Sequence, residues 1–468
     1  MRQHLLHWAR PGTVLLAVLT LVAALAGVAP AHRAGAAVTA AGTFTDLGPQ
    51  VRALTIHKGA VGADATGRPL LYAVVYGDAA SATEPGTFMV MDLNTRQLVR
   101  TFPLAGQTGA WAITVDDQNR KVTIGTYREG RVYRYDPDTQ TLTNLGVPIF
   151  GATVLYGMSA GRGGAVYGGT YPGAGVFAVS GTGTLYNLGT AWSGETHALS
   201  TALKMDGGED ILYIGTGGTG RLVRYNLGTG AKTDILPTAF ADEKEVYDLN
   251  YVKGRLIAKM HPSLTAAVLD PNTGAADTLI DGDSGQTTTT FPIGSRGVSP
   301  LAPDGRSVYY TDADGLSRLD LTTKTFYDVK DSSGATINLQ GSVIAWGWVA
   351  LNDPDYPGLS LVGLVGNYDG KAFRYNPTTG KYEVFTLPYP NLPTDIYHVT
   401  AGPDGKVYSG SYINGAVGVH DPATGGQAQY PGLGQVEGWT NDGGLMYIGT
   451  YPDGKVRRYD PAKPWNPG

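Results

Sequence analysis

Four residues of this chain, His197, Tyr247, His261 and Arg296, have the side-chain types needed to take a proton from a carbon beside a carboxylate and expel an oxygen from the next carbon. Such a β-elimination asks for a base, a cation that neutralises the carboxylate, and an acid for the leaving oxygen. His197 or Tyr247 can serve as base or acid, and Arg296 can hold a carboxylate through two parallel hydrogen bonds. His261 can assist or ligate a metal. A second set, His57, Trp111, Trp346, Tyr397, His398 and Trp439, has the flat apolar faces and polar tips that suit stacking on sugar rings and bonding to their hydroxyls. Each histidine has an ordinary alternative, a hydrogen bond to a loop carbonyl. His4, His7 and His32 fall in the N-terminal segment, and His420 takes a position that is tyrosine elsewhere in the chain.

The elements that must hold these residues are repeats. The stretch Tyr447–Pro461, YIGTYPDGKVRRYDP, is an apolar strand, a Gly-bearing turn and a second strand stopped by proline. The same arrangement appears as VTIGTYREGRVYRYDP from Val122, LYIGTGGTGRLVRYN from Leu212, LVGNYDGKAFRYNP from Leu364 and VYSGSYINGAVGVHDP from Val407. Looser copies begin at Val166, Arg255 and Val308. The residues at the RYD tyrosine position, Met91, Tyr135, Val179, Tyr225, Leu269, Leu319, Tyr375, His420 and Tyr459, count nine units at a spacing typical of propeller blades. The expectation is an all-β fold, a single β-propeller of four-stranded blades numbering nine, with eight as the alternative. The C-terminal unit has three strands, and the segment from Gly42 to Gly48 matches the outermost strands TLTNLG from Thr141 and TLYNLG from Thr184. That segment is expected to complete the last blade and close the ring, which would leave no open edge.

In a propeller the innermost strand starts on the rim where the second strand ends. His57, Trp111, Tyr156, His197, Tyr247, Arg296, Trp346, Tyr397, His398 and Trp439 stand at the starts of innermost strands. Tyr127, Tyr171, His261, Tyr368, Tyr412 and Tyr451 stand at the turns after second strands. One rim is aromatic and titratable. The other consists of short turns such as DDQN and GPDG. The repeated tyrosine of the GTY motif is expected to be a packing residue between blades.

Composition narrows the partners. The 468 residues include 67 glycines, 28 tyrosines and no cysteine, which excludes disulfides and thiolate chemistry. Residues 1–36 read as a secretory signal, with arginines before the apolar run Thr13 to Ala29 and small residues at Ala34-Gly35-Ala36, and residues 37–468 as the propeller domain. Losing residues 1–36 removes three arginines and no acid, so the net charge of -5 becomes -8. No basic run is present to bind nucleic acid, and no other stretch is long enough to span a membrane. The Asp-rich turns near Asp281, Asp312 and Asn352 lack the full spacing of a calcium loop, so a divalent cation such as calcium is left open as a cofactor. The GxSxG at Gly157–Gly161 runs into a hairpin and not a helix, and reads as chance.

By the repeat IGTYPDGKVRRYDP and the AGPDGKVY hairpins, the chain resembles secreted bacterial propellers of the streptogramin-lyase-like and PQQ-like repeat class. These motifs imply blade architecture and assign no catalytic residue. The residue set on one rim is similar to that of the propeller-fold polysaccharide lyases, such as the ulvan lyases. Together these readings imply a secreted, monomeric lyase acting on a uronic-acid-containing polysaccharide. The alternatives are a non-catalytic propeller that binds a glycan or cell surface, and a small-molecule lactonase or lyase with a central metal.

Overall fold

The computed structural model describes residues 43–467, apart from 117, 206–207, 314, 332, 367–369, 413–415 and 452–453. The expected signal at 1–36 and the rim tyrosine Tyr368 lie outside the described residues. The chain separates into Met1–Gly48 and Pro49–Gly468. In the first unit the described residues 43–48 form no strand and are exposed. The second unit is built of strands with two short 3-10 turns. No helix among the described residues is long and apolar enough to cross a membrane.

Most of the repeats fold as four-stranded antiparallel sheets, the sixth differing in that Leu279–Asp281 joins Thr325–Asp328 in parallel and the last in having three strands. In the second, Gly109–Val115, Val122–Tyr127, Val132–Asp136 and Thr141–Gly146 pair in chain order. The two middle strands are buried on both faces, with Val122, Ile124, Val132 and Tyr135 buried and Thr123 and Arg134 buried as well, and no solvent face appears. The outermost strand, TLTNLG, is largely exposed and tolerates threonine and asparagine. Gly130 makes the turn between the middle strands at φ +55, and a Cβ there would lie 2.6 Å from the Ala152 carbonyl of the next sheet. Only glycine satisfies both the left-handed backbone and the close approach.

Seven sheets surround the axis. Their innermost strands are Gly59–Ala63, Gly109–Val115, Val154–Ala160, His197–Lys204, Glu245–Val252, an irregular run at 296–300 and Val343–Ala350, and all of them line one central channel. Each sheet shares a buried apolar cluster with the next. The seventh packs directly on the first, where Leu71, Ala73 and Met89 meet Ala345, Val362 and Leu364. Arg96 and Glu383 clamp the same junction with bonds of 2.8 and 2.6 Å.

The ring of nine, or of eight, is therefore corrected to seven. The cause is local. Arg52–Ala53 pairs antiparallel with Leu392–Pro393, just after the seventh sheet, so the two ends of the ring are tied together and the remaining chain leaves it. Residues 43–48, from the segment expected to supply a closing strand, form no strand.

The last two repeats form a separate pair of sheets, one of four strands (Ile396–Ala401 to Gly426–Tyr430) and one of three (Gln435–Asp442, Leu445–Tyr451, Val456–Tyr459). They share their own core of Tyr408, Val417, Val436, Met446 and Ile448. This pair lies over one side of the aromatic rim. Arg52 exchanges backbone bonds of 2.8 Å with the Gln429 amide, Arg128 pairs with Asp395 at 2.6 Å, and Tyr412 helps to enclose a small cavity with Thr55, His57 and Tyr76. We refer to it as the cap.

Candidate functional site at the capped rim

One backbone device aims side chains at the axis. The inner strands of the second to fifth and seventh sheets and of both cap sheets carry a β-bulge at their start, with Leu199, Ile344 and Glu437 at the skipped position in the fourth, the seventh and the cap's second, and aromatic residues in the others. The ladder skips between Ala110 and Ala112, Leu155 and Met158, Val246 and Asp248, and Ile396 and His398. The skipped positions hold Trp111, Tyr156 with Gly157, Tyr247 and Tyr397. A bulge twists the strand and turns the extra side chain away from the sheet faces. The aromatic residues of the inner rim thus recur at one structural position.

A ring of seven blades is narrow enough for residues on opposite sides to touch. Arg296, on the sixth sheet, places its guanidinium 4.8 Å from the ring centre of Trp111 on the second and 5.0 Å from that of Tyr247 on the fifth. Its Nη2 donates to the Tyr247 hydroxyl at 2.8 Å. Among the described residues no carboxylate forms an ion pair with it, so its charge is met by aromatic faces and a phenol. Burial holds Tyr247 above the ordinary phenol value even though Arg296 pulls the other way, and the hydroxyl stays protonated at neutral pH.

His197 closes the next part of the cluster. Its ring stacks on Tyr171 with centroids 4.3 Å apart and lies 5.9 Å from Tyr156, which is edge-on to Trp111. The Thr196 hydroxyl donates to the Gly217 carbonyl at 2.9 Å, so its single proton is committed. The 2.7 Å contact between that oxygen and His197 Nδ1 then requires Nδ1–H to donate, and Nε2 keeps its lone pair. Burial also lowers the His197 pKa below its usual value, with Glu245 opposing, so the neutral base prevails at pH 7. His261, half-exposed, lies 3.5 Å from Glu245 and 6.2 Å from Tyr247. It occupies the rim position that is Tyr127 in the second sheet and Tyr171 in the third.

His57 belongs to the same cluster but to its dry side. It stacks on Trp111 at 4.4 Å and meets Tyr76 edge-on at 4.4 Å, under the cap. Desolvation pushes its pKa well down, with Arg296 adding to the effect, and among the described residues neither ring nitrogen has a hydrogen-bond partner. Its role is to pack Trp111. By contrast Tyr171 and the cap's Tyr451 are exposed and His261 is half-exposed, which leaves the side formed by the third to fifth sheets accessible.

Directly beneath Arg296 sit three charged residues. Lys58 reaches across the axis to Asp248 at 3.8 Å. Lys259 is buried and donates to the carbonyls of Gly294 and Ser295 at 3.0 and 2.9 Å, the two residues before Arg296, and so fixes the approach of the guanidinium. Burial lowers the Lys259 ammonium to about 8.

No known protein-family profile matches this chain, and no curated protein sequence matches it. Solved structures do resemble it. The structure of U3-55K aligns with a TM-score of 0.48 at 10% identity, covering 67% of this chain and 89% of that one. The RRP9 WD40 repeats align with a TM-score of 0.48 at 9% identity, covering 67% and 88%. A streptogramin B lyase structure aligns with a TM-score of 0.35 at 12% identity, covering 75% and 93%. These are propeller-type folds, and the ring described here is argued from the sheets of this chain alone.

Of the residues singled out from the sequence, His197, Tyr247, His261, Arg296, His57 and Trp111 come together at the rim. Trp346 lies lower, in the channel wall, edge-on to Phe373. Tyr397 and His398 belong to the cap, where Tyr397 stands beside Tyr412, and Trp439 packs on Tyr408 inside the cap's own core. Of the GTY tyrosines, Tyr127 is half-buried and stacks on Tyr76 of the first sheet, Tyr171 stacks on His197 of the fourth while 37% exposed, and Tyr451 is 55% exposed. Among the described residues no group of three His, Asp or Glu side chains is placed to hold a metal ion. Asp281 accepts the Asp283 amide at 2.9 Å within its own turn. Lys58, Asp248, Lys259 and Tyr76 had not been singled out. A lysine inside the apolar run RLIAKMH was the one visible signal.

Proposed function

We propose that this protein is a secreted lyase that cleaves a uronic-acid-containing glycan by β-elimination, at the accessible side of the capped rim. The observation that carries the reading is the Arg296–Tyr247 pair, a guanidinium with no carboxylate ion pair among the described residues bound to a protonated phenol, linked through Trp111 and Tyr156 to a histidine whose Nε2 is left basic. Arg296 has N–H groups beyond the one given to Tyr247, and they meet the substrate carboxylate and stabilise the charge that builds on it as the neighbouring C–H bond breaks. His197 Nε2 takes that proton. The C–O bond on the adjacent carbon breaks as the C=C bond forms, and Tyr247 gives its proton to the leaving oxygen. Tyr171 and Tyr451 offer faces to flanking sugar rings. The test is the ultraviolet absorbance of the unsaturated product, with residues 37–468 and a panel of acidic polysaccharides. A signal lost in both His197→Ala and Arg296→Ala supports the reading. Full activity in both variants, or glycan binding with no turnover by the unmodified protein, overturns it, and the second result makes the protein a binding module.

A further inference from the structure

The central channel meets that site only at Arg296, and below it carries charge of its own and has its own opening. Side-chain accessibility rises along the inner strands toward the rim opposite the cap. Gly59 is buried and Ala60 to Ala63 are half-buried, and Val154–Ala160 and Glu245–Val252 end in half-buried residues. The cavity of about 450 Å³ is therefore reached from the uncapped rim, and it ends at Lys58, Asp248 and Arg296. That volume suits one or two sugar rings and not a polymer.

The charges at its end do not balance. Lys58, Lys259 and Arg296 act on one another and on a single carboxylate, Asp248, whose Oδ1 is held by Lys58 at a long 3.8 Å. Asp248 is 8% exposed, and among the described residues its Oδ2 has no hydrogen-bond partner. With Arg296 left to the rim, Lys58 and Lys259 still outnumber Asp248 by one positive charge in a half-enclosed site, which favours an anion. In the channel wall Ser159 Oγ donates to the Thr201 carbonyl and Thr201 Oγ1 to the Gly157 carbonyl, so both oxygens can only accept, which favours an anion that also carries hydroxyl groups.

We infer that the channel is a binding site for a monomeric sugar acid, entering from the uncapped rim with its carboxylate on Lys58. The site's existence rests on the channel's own charges, and the identity of the anion rests on the lyase reading, since a uronate is the unit that such a cleavage handles. Titration of the full protein with sodium D-glucuronate, followed by calorimetry, is the test. Saturable binding is expected, with none for glucose. Lys58→Met should weaken it by about 10- to 100-fold and Lys58→Arg far less, the loss expected for one charge-assisted hydrogen bond. Thr114→Trp, which fills the channel without touching a charge, should abolish it in a protein whose circular dichroism is unchanged. His197→Ala should leave it intact. The inference is overturned if glucuronate does not bind, if Lys58→Met binds it normally, if inorganic phosphate binds as tightly, or if His197→Ala removes the binding. Glucuronate binding that needs Lys58, in a protein that cleaves no glycan, would sink the lyase reading and keep the channel site. Cleavage with Lys58-independent binding would do the reverse.

Discussion

Arg296 shows at the residue scale what the site depends on: one guanidinium bridges a tryptophan and a tyrosine from opposite parts of the ring. An ammonium cannot hold the Tyr247 hydroxyl, the Trp111 face and a carboxylate together. Arg296→Lys is therefore expected to lower kcat/KM by about 100-fold or more, and a variant keeping most of the activity would show that the fork geometry is unused. The neighbours set a pH range. His197 has a pKa below 6.5 and must be neutral, whereas Tyr247 has one above 10.0 and must be protonated. The rate should fall only below the first and above the second, with a plateau between, and an acid limb unmoved by His197→Ala would assign the base elsewhere. Lys259 makes a stability prediction of its own. Its pKa is about 8 when folded, against 10.5 for an ordinary lysine, so between those values the unfolded chain binds the extra proton and stability rises with pH. Denaturant unfolding should show wild type gaining on Lys259→Met across that window, by at most about 1.4 kcal/mol per pH unit.

At the scale of elements, the inner strand is the functional part and its bulge is the aiming device. The strand otherwise obeys packing rules that leave little freedom where sheets meet. At the junction of the seventh and first sheets, a Cβ on Gly347 would fall 2.4 Å from Val61 Cβ. Gly347→Ala should therefore cost about 1–3 kcal/mol in denaturant midpoint measurements, the ordinary price of overpacking. A neutral outcome would mean that these two sheets are not in contact, as in a larger ring with further blades between them.

At the scale of the whole molecule, two of the nine repeats do different work from the other seven. They cover His57 and Tyr76 and leave the side with His197, Tyr171 and His261 open, so the cap narrows the rim to a one-sided approach. The cap is held by few contacts. The Arg128–Asp395 pair is partly exposed and worth no more than about 1 kcal/mol, and the pairing of Arg52–Ala53 with Leu392–Pro393 is two residues long. Hydrogen exchange should accordingly show residues 396–459 opening well before the inner strands of the ring. Equal protection throughout would mean that the cap and ring unfold as one unit.

The chain's repeats and turn residues determined a great deal by themselves: the all-β class, the four-stranded sheets, the rim on which the aromatics gather, and six residues of the cluster. Those are local properties, set by strand alternation and by glycines at turns, and they can be read without knowing which sheet follows which in space. Only the tertiary structure decided that seven sheets and not nine enclose the axis, because ring size depends on how the seventh sheet packs on the first and on the two-residue pairing that ties the ends. From that choice come the reach of Arg296 across the axis, the dry burial of His57 beneath the cap, and the meeting of Lys58 with Asp248. Tyr397 shares the bulge position of Trp111, Tyr156 and Tyr247 but belongs with His398 to the cap, whereas Trp346 and Trp439 stand two residues past the bulges at Ile344 and Glu437, which puts Trp346 in the channel wall and Trp439 in the cap's core.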